Sequence, residues 1–228
     1  PPYVYSLGGG VVLLENLIEG LGGGGYTVVV EDANGCLATM QVVISEPPPL
    51  SIDAGPDLTI ELGETVTLQS VLSPIFWSVN YQWEGPEGTL SCSSCPRPTV
   101  QPLDYSVYTV TVRDSNGCEA TDQLEVRVDK VRPVFIPNVF SPNEDGRNDF
   151  FSVFGGAAAE RVELLQVYSR WGELVYEGRD LPLNDPTRGW NGTFRGKPVD
   201  AGVFAFYTEV LFIDGEVILF EGDVTVVR

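Results

Sequence analysis

Two short segments carry side chains whose spacing could do chemistry. Residues 143–149, Asn-Glu-Asp-Gly-Arg-Asn-Asp, place side-chain oxygens at alternating positions around a glycine. Calcium-binding loops use oxygen ligands in this way, with a glycine at the sharp turn. We therefore predict a calcium site with Asn143, Asp145 and Asp149 as its ligands. The segment lacks the full EF-hand pattern, and the alternative interpretation is a turn whose polar side chains hydrogen-bond to their own backbone.

The second segment is the pair Cys92 and Cys95, which have the CxxC spacing. This spacing occurs in zinc sites, in thioredoxin-like redox motifs and in local disulfides. The chain has no second CxxC pair to complete a zinc site, and no thioredoxin-like pattern surrounds the two cysteines.

Histidine is absent from all 228 residues. Catalysis by Ser-His-Asp or Cys-His groups and ordinary zinc sites are therefore excluded. The 32 Asp and Glu residues leave a pair of catalytic carboxylates open as an alternative. Nearly all of these acids lie in turns or at alternating strand positions, where a solvated surface is the usual role. We expect that this chain is not an enzyme and that it holds no cofactor other than the predicted calcium.

The net charge of the chain is −19, and no Lys or Arg precedes Arg97. Nucleic acids and anionic membranes bind clusters of basic side chains, so neither is expected as a partner. An acidic surface suits an extracellular protein that must stay soluble. The sequence also contains no apolar run long enough to form a transmembrane segment.

An internal repeat in the sequence indicates where β-hairpins form. Residues 26–36, Tyr-Thr-Val-Val-Val-Glu-Asp-Ala-Asn-Gly-Cys, recur with few changes at residues 108–118. The alternation of apolar and polar residues indicates a half-buried strand, and Asn-Gly indicates a tight turn in which both residues have positive φ. Each copy is therefore predicted to be a hairpin that ends a domain.

Linkers after the two hairpins divide the chain into domains. Residues 46–49, Glu-Pro-Pro-Pro, form a stiff linker, and residues 129–133 form a weaker boundary. We predict domains at residues 1–46, 50–129 and 133–228, the first being the C-terminal part of a β-repeat truncated at its N-terminus. The fold class is all-β, with tandem immunoglobulin-like antiparallel β-sandwich domains. Trp83 is predicted to lie in the core of the middle sandwich.

The last domain shows strand patterns and no helical periodicity. Its strands are predicted at residues 162–168, 173–176, 202–210 and 216–227. We expect an antiparallel sandwich with few contacts across residues 130–133. Its buried face is predicted to contain Phe204, Tyr207, Leu211 and Leu219.

Five motifs of this last domain occur in a characteristic order. They are Ile-Pro-Asn-Val-Phe-Ser-Pro-Asn-Glu-Asp-Gly-Arg-Asn-Asp at 136–149, Arg-Trp-Gly-Glu-Leu-Val at 170–175, Gly-Trp-Asn-Gly-Thr at 189–193, Ala-Gly-Val-Phe at 201–204 and Val-Thr-Val-Val-Arg at 224–228. The segment closely resembles the type B C-terminal sorting domain of the type IX secretion system, also called the gliding motility-associated C-terminal domain. Residues 1–46 resemble a repeat of gliding-motility adhesins in Bacteroidota, and residues 51–129 resemble PKD-like modules.

The resemblance implies a location and partners. It implies export across the outer membrane to the cell surface or the extracellular space, with the outer-membrane translocon and its associated anchoring protein as partners. Recognition is expected in exposed loops and in the terminal strand, because the machinery must read a folded domain. The upstream modules are then structural or adhesive. The alternatives are the stalk and sorting tail of a secreted enzyme, or a subunit of a surface filament that pairs with copies of itself or with neighbouring surface proteins.

The resemblance also bears on the cysteines. In a secreted β-protein, a local Cys92–Cys95 disulfide that pins a loop is favoured over zinc or redox chemistry. Cys118 is expected to be unpaired, because Glu61 occupies the position where related modules often have a partner cysteine. Cys36 lacks a partner within the sequence, and its pairing stays open.

Overall fold

The structure is a computed structural model that describes residues 3–8, 11–13, 17–46, 48–75 and 79–227. Every regular element in these ranges is a β-strand, which confirms the all-β fold class. The chain divides into two compact units, Pro1–Leu50 and Ser51–Arg228. A membrane-spanning helix is absent from the described part of the chain.

The first unit is one antiparallel sheet of four strands in the order β2-β1-β3-β4. Its strands are β1 Val4–Leu7, β2 Val11–Leu13, β3 Gly24–Glu31 and β4 Leu37–Ile44. The register aligns Tyr26, Val28 and Val30 with Val42, Met40 and Ala38, so these side chains share one apolar face. The side chains of this face are half-buried or exposed, because the described residues of this unit form a single layer.

The middle module contains the second copy of the repeated hairpin, and here the apolar face of the hairpin is buried. Its strands are β5 Ser51–Asp53, β6 Leu58–Glu61, β7 Val66–Thr67, β8 Val71–Ser73, β9 Val79–Glu84, β10 Thr99–Val100, β11 Ser106–Asp114 and β12 Glu119–Asp129. A four-stranded sheet, β6-β12-β11-β9, is accompanied by the pairs β5-β8 and β7-β10. Here the repeat residues Tyr108, Val110 and Val112 are fully buried, and Trp83 is buried as the sequence predicted.

An aspartate explains the shared turn of the two hairpins. One carboxylate oxygen of Asp114 accepts hydrogen bonds from the N–H groups of Asn116 and Cys118, and Asp32 does the same in the first copy. The N–H of Cys36 lowers the pKa of Asp32, and the N–H of Asn34 lowers it further.

The predicted backbone of this turn is wrong in one detail. Gly35 and Gly117 have positive φ, 80° and 85°, but Asn34 and Asn116 do not. The Asp32 and Asp114 carboxylates hold a turn longer than a two-residue hairpin loop, so only its glycine needs the left-handed region.

The C-terminal domain is built on one five-stranded sheet, β14-β21-β20-β16-β17, with the short pairs β13-β15 and β18-β19 beside it. Its strands are β13 Val134–Phe135, β14 Val139–Phe140, β15 Phe154–Gly155, β16 Ala159–Tyr168, β17 Leu174–Leu181, β18 Thr193–Phe194, β19 Lys197–Pro198, β20 Gly202–Phe212 and β21 Val217–Val226. All pairs in this domain are antiparallel except β14 with β21, which is parallel.

The predicted buried face of this sheet is wrong for three of its four residues. Phe204 is buried, but Tyr207 and Leu211 are only half-buried and Leu219 is 47% exposed. Successive side chains of a strand point to opposite faces, so odd-numbered residues of β20 cannot share a face with Phe204. The buried residues of this strand are Phe204, Phe206, Thr208, Val210 and Phe212.

An aromatic cluster centred on Trp190 fills the core of the domain. The Trp190 ring lies 4.9 Å from the Phe204 ring and 5.4 Å from the Phe140 ring, measured between centroids. Phe151 continues the cluster, 6.1 Å from Phe140 and 5.2 Å from Phe206. The indole N–H of Trp190 donates to the carbonyl of Thr193 at 2.9 Å, so the one polar atom of this ring is satisfied.

The middle module and the C-terminal domain are in closer contact than the sequence suggested. Leu62, which follows β6, is 2% exposed and belongs to the apolar core cluster of the C-terminal domain. The adjacent Gly63 has a φ of 89°, and an added Cβ would lie 2.6 Å from the carbonyl oxygen of Ala157. The turn after β6 therefore reaches across the boundary at residues 130–133 into the following domain.

Charged side chains add to this junction. Lys130 pairs with Asp104 of the middle module at 2.8 Å and with Asp214 of the β20–β21 turn at 3.2 Å. Arg132 pairs with Asp214 and, at 2.7 Å, with Glu216. Burial acts to raise the pKa of Asp214, but hydrogen bonds from Lys130 and Arg132 outweigh it and leave the pKa below its ordinary value.

The buried Leu62 side chain generates a prediction about stability. Leu62→Ala removes apolar contacts and leaves a cavity, so we expect the free energy of unfolding to fall by about 2–5 kcal/mol. Chemical denaturation of the full chain measures the change. Val71→Ala, at a 65% exposed position, is the control and should change the free energy by no more than about 0.5 kcal/mol. Equal values for the two variants would show that Leu62 is not part of the core.

The Asp214 carboxylate generates a prediction about pH. Because its folded pKa is lowered, its contribution to stability is present above the ordinary value of 3.8 and is lost as pH falls through the folded pKa. Asp214→Asn should therefore destabilise the chain at neutral pH, and the difference from wild type should shrink below pH 3.8. Urea denaturation across this range tests it, with the exposed Glu87→Gln as control. A difference that stays constant with pH would contradict the prediction.

Candidate functional site

The loop at residues 143–149 brings the three predicted calcium ligands together around the side chain of Asp149. One Asp149 oxygen accepts the N–H groups of Asn143 and Glu144, at 3.1 and 2.7 Å. Its other oxygen accepts the N–H of Gly146 at 2.7 Å. Glu144 and Gly146 both have positive φ, and this backbone turns their N–H groups toward the carboxylate.

Asn143 and Asp145 are also engaged within the loop. The side-chain oxygen of Asn143 accepts the N–H of Asp145 at 3.1 Å, and its amide donates to Asp145 at the same distance. The other Asp145 oxygen accepts the N–H of Arg147 at 2.8 Å. Every side-chain oxygen of the three residues thus accepts a hydrogen bond. This arrangement supports the alternative of a self-bonded turn, and calcium binding stays a prediction.

The cysteines have a structural role in the middle module. A disulfide joins Cys92 to Cys95, and Cys36 and Cys118 are free and exposed. The loop closed by the disulfide covers Trp83, whose indole N–H donates to the carbonyl of Cys95 at 3.1 Å. The backbone N–H of Trp83 donates to the carbonyl of Ser93 at 2.7 Å. The CxxC segment therefore supports the core tryptophan.

The hairpin tip between β16 and β17 presents the most exposed tryptophan of the described residues. Trp171 is 86% exposed, and the guanidinium of Arg170 lies 5.5 Å from its ring centroid. Both line a groove of about 680 Å³ together with Val203 and the carboxylates of Asp200 and Asp223. An exposed aromatic side chain beside charged groups is a combination typical of protein-binding surfaces.

A family comparison bears on the C-terminal domain. Residues 134–218 match the family model described as CHU_C Type IX secretion signal domain. These residues are a type IX secretion signal domain. A domain of this kind indicates export across the outer membrane to the cell surface or the extracellular space. No curated protein matches the chain significantly.

Solved structures similar to the chain include a PKD domain, a set of immunoglobulin domains and a latent PorU. The PKD domain from the KIAA 1837 protein is 27% identical over 38% of this chain and 92% of its own length, with a TM-score of 0.32. Sidekick-1 immunoglobulin domains 1–5 are 14% identical over 99% of this chain and 52% of theirs, at 0.42. Dimeric latent PorU from Porphyromonas gingivalis is 13% identical over 90% of this chain and 24% of its own, at 0.29. TM-scores this low do not bear on function.

The motifs that match the secretion signal domain are largely structural. Phe140, Trp190 and Phe204 come from three different motifs and meet in one aromatic cluster. Gly189 has a φ of 149°, and an added Cβ would lie 2.1 Å from the carbonyl oxygen of Phe151, so only glycine fits there. Phe140, Trp190, Phe204 and Gly189 are therefore residues that the fold of the domain requires.

Sequence reasoning missed two features of the secretion signal domain. One is the ion-pair group of Lys130, Arg132 and Asp214, whose members are 84 residues apart at most. No local pattern marks such a group. The other is the edge of β21 that has no described partner strand from Val217 to Val224, although recognition by the terminal strand was expected. A signal for it existed, because residues 217–224 contain no Lys, Arg or Pro.

The calcium prediction for the secretion signal domain can be tested through stability. A bound ion raises the melting temperature by mass action, so about 5 mM calcium should raise it, as expected for a millimolar extracellular site. Differential scanning calorimetry with calcium or magnesium measures the effect. Asp145→Asn should remove the rise, whereas Asp185→Asn, in another turn, should retain it. A melting temperature that does not respond to calcium would leave the self-bonded turn as the only role of this loop.

Proposed function

We propose that the secretion signal domain is read in its folded form by the outer-membrane translocon of the type IX system and by its associated anchoring protein. The observation that carries this proposal is the family match at residues 134–218. Its support from the structure is a core that is filled by the domain's own aromatic side chains, with Leu62 as an added contact. A domain whose core is filled in this way presents only its surface to a partner.

We also propose that the preceding modules are structural or adhesive parts of a secreted surface protein. The disulfide at Cys92 and Cys95 and the acidic surface suit an extracellular location. Immunoglobulin-like and sorting domains are in general not catalytic, and the chain has no histidine to support common hydrolytic chemistry. We therefore propose that these modules have no enzymatic activity of their own.

Reporter secretion tests the proposed role of the domain. A periplasmically exported fluorescent protein is fused to the full 228-residue chain, to residues 51–228, or to a chain that ends at Asp129. We expect the first two fusions to reach the cell surface or the medium of a bacterium with type IX secretion. The third should stay periplasmic because it lacks the signal. Residues 51–228 are used as the minimal unit because Leu62 contributes to the core of the domain.

A strain without the translocon provides the control for this experiment. All three fusions should remain periplasmic in that strain. Periplasmic retention of the full-chain fusion in the secreting strain, with the protein intact and folded, would overturn the proposed function.

A further inference from the structure

The outer edge of β21 is open along most of its length. On one side, β21 pairs with β20 from Val217 to Val226. On its other side, its described partner is β14, which reaches only Thr225 and Val226. The residues from Val217 to Val224 therefore form a strand edge without a partner strand among the described residues.

The backbone groups that point out from this edge can be identified. The N–H of Thr225 donates to Asn138 at 2.9 Å, and the N–H of Val227 donates to Phe140 at 3.0 Å, so odd-numbered residues face the β14 side. The pairing with β20 has no register shift, and residues two apart in a strand point the same way. The N–H and C=O groups at the odd positions therefore face outward without a strand to pair with. These positions are Val217, Leu219, Glu221 and Asp223.

The opposite edge of the same sheet, at β17, is protected against the addition of another strand. β17 pairs with β16 through a register shift, and Asp180 near its end has a positive φ of 51°. Bulges, irregular backbone and basic side chains such as Arg179 are devices that prevent strand addition. The β21 edge has an uninterrupted register and lacks Lys, Arg and Pro. It is therefore suited to accept an added strand.

The side chains beside the open edge define the partner's chemistry. Val217 and Leu219 are 44% and 47% exposed, and Glu221 and Asp223 are exposed acids on the same face. Asp223 also lines the groove that contains Asp200 and Arg170. A second copy of this chain, with its net charge of −19, would bring further acids to this end. A strand with apolar residues at one end and Lys or Arg at the other is complementary to the open edge of β21.

We propose that β21 is the docking edge of the secretion signal domain, and that an extended segment of an outer-membrane protein of the secretion machinery adds to it as a further strand. Basic side chains of that segment lie beside Glu221 and Asp223, and apolar ones beside Val217 and Leu219. Main-chain hydrogen bonds supply affinity, and the charges supply selectivity. This inference rests on the proposed function, since it names the surface that the machinery reads.

A proline substitution tests the edge directly. Leu219→Pro removes one outward N–H, and proline is tolerated on edge strands where that N–H faces solvent. Leu219→Thr removes the same leucine side chain but keeps the N–H, so it is the matched control. In the full-chain reporter fusion, we expect Leu219→Pro to lower surface fluorescence at least about tenfold, because strand addition depends on these main-chain bonds. Leu219→Thr should secrete at close to the wild-type level.

Charge reversal provides a second variant that does not depend on proline. Glu221→Lys combined with Asp223→Lys should also lower secretion about tenfold, because each like-charge contact opposes the basic partner strand. Glu177→Lys on the protected β17 edge is the matched control and should secrete normally. Circular dichroism melting confirms that each variant is folded, and the charge variants decide the test if Leu219→Pro is unfolded.

Several outcomes would overturn the docking edge. One is secretion of the folded Leu219→Pro variant, or of the double charge variant, at the wild-type level. Another is an equal loss of secretion in the Leu219→Pro and Leu219→Thr variants. A dimer in sedimentation that Leu219→Pro abolishes would assign the edge to a second copy instead.

The chain ending at Asp129 separates the two proposals. If that chain is retained while the edge variants are secreted, only the docking edge fails, and if it is secreted, the proposed function fails.

Discussion

The aromatic cluster around Trp190 is the interaction on which the C-terminal domain depends. It joins the opening segment through Phe140, the loop before β18 through Trp190, and the central strand through Phe204. These residues are distant in sequence and belong to different motifs of the secretion signal domain. Burying large aromatic side chains supplies much of the stabilisation of a small β-domain. The motifs that identify the domain are therefore, in large part, the contacts that fold it.

The same core extends beyond the domain through Leu62. A buried leucine from the preceding module, with charged contacts at Lys130, Arg132 and Asp214, makes the two modules one compact unit. Removal of the middle module would expose apolar surface of the signal domain to water. The core of the signal domain thus includes a contact from a module that the signal's own motifs do not include.

The sequence by itself determined the fold class, the repeated hairpin and the identity of the signal domain. Strand periodicity is local, so the alternation around Tyr108 predicted a buried strand face, and the CxxC spacing at Cys92 restricted the alternatives to a few. Turn chemistry is local as well, which is why the Asp114 turn was predicted as a turn although only its glycine has positive φ. The calcium ligands of the loop at residues 143–149 remain a prediction of this local kind.

Only the tertiary structure decided which side of each strand is buried and which edge is open. Periodicity cannot say which of two alternating sets faces the core, so Tyr207 and Leu219 were assigned to the wrong face. The packing of Leu62 against the signal domain and the open edge at Leu219 depend on where other strands end. Contacts between distant segments arise from the packing of whole sheets, and a local sequence pattern contains no information about the partner.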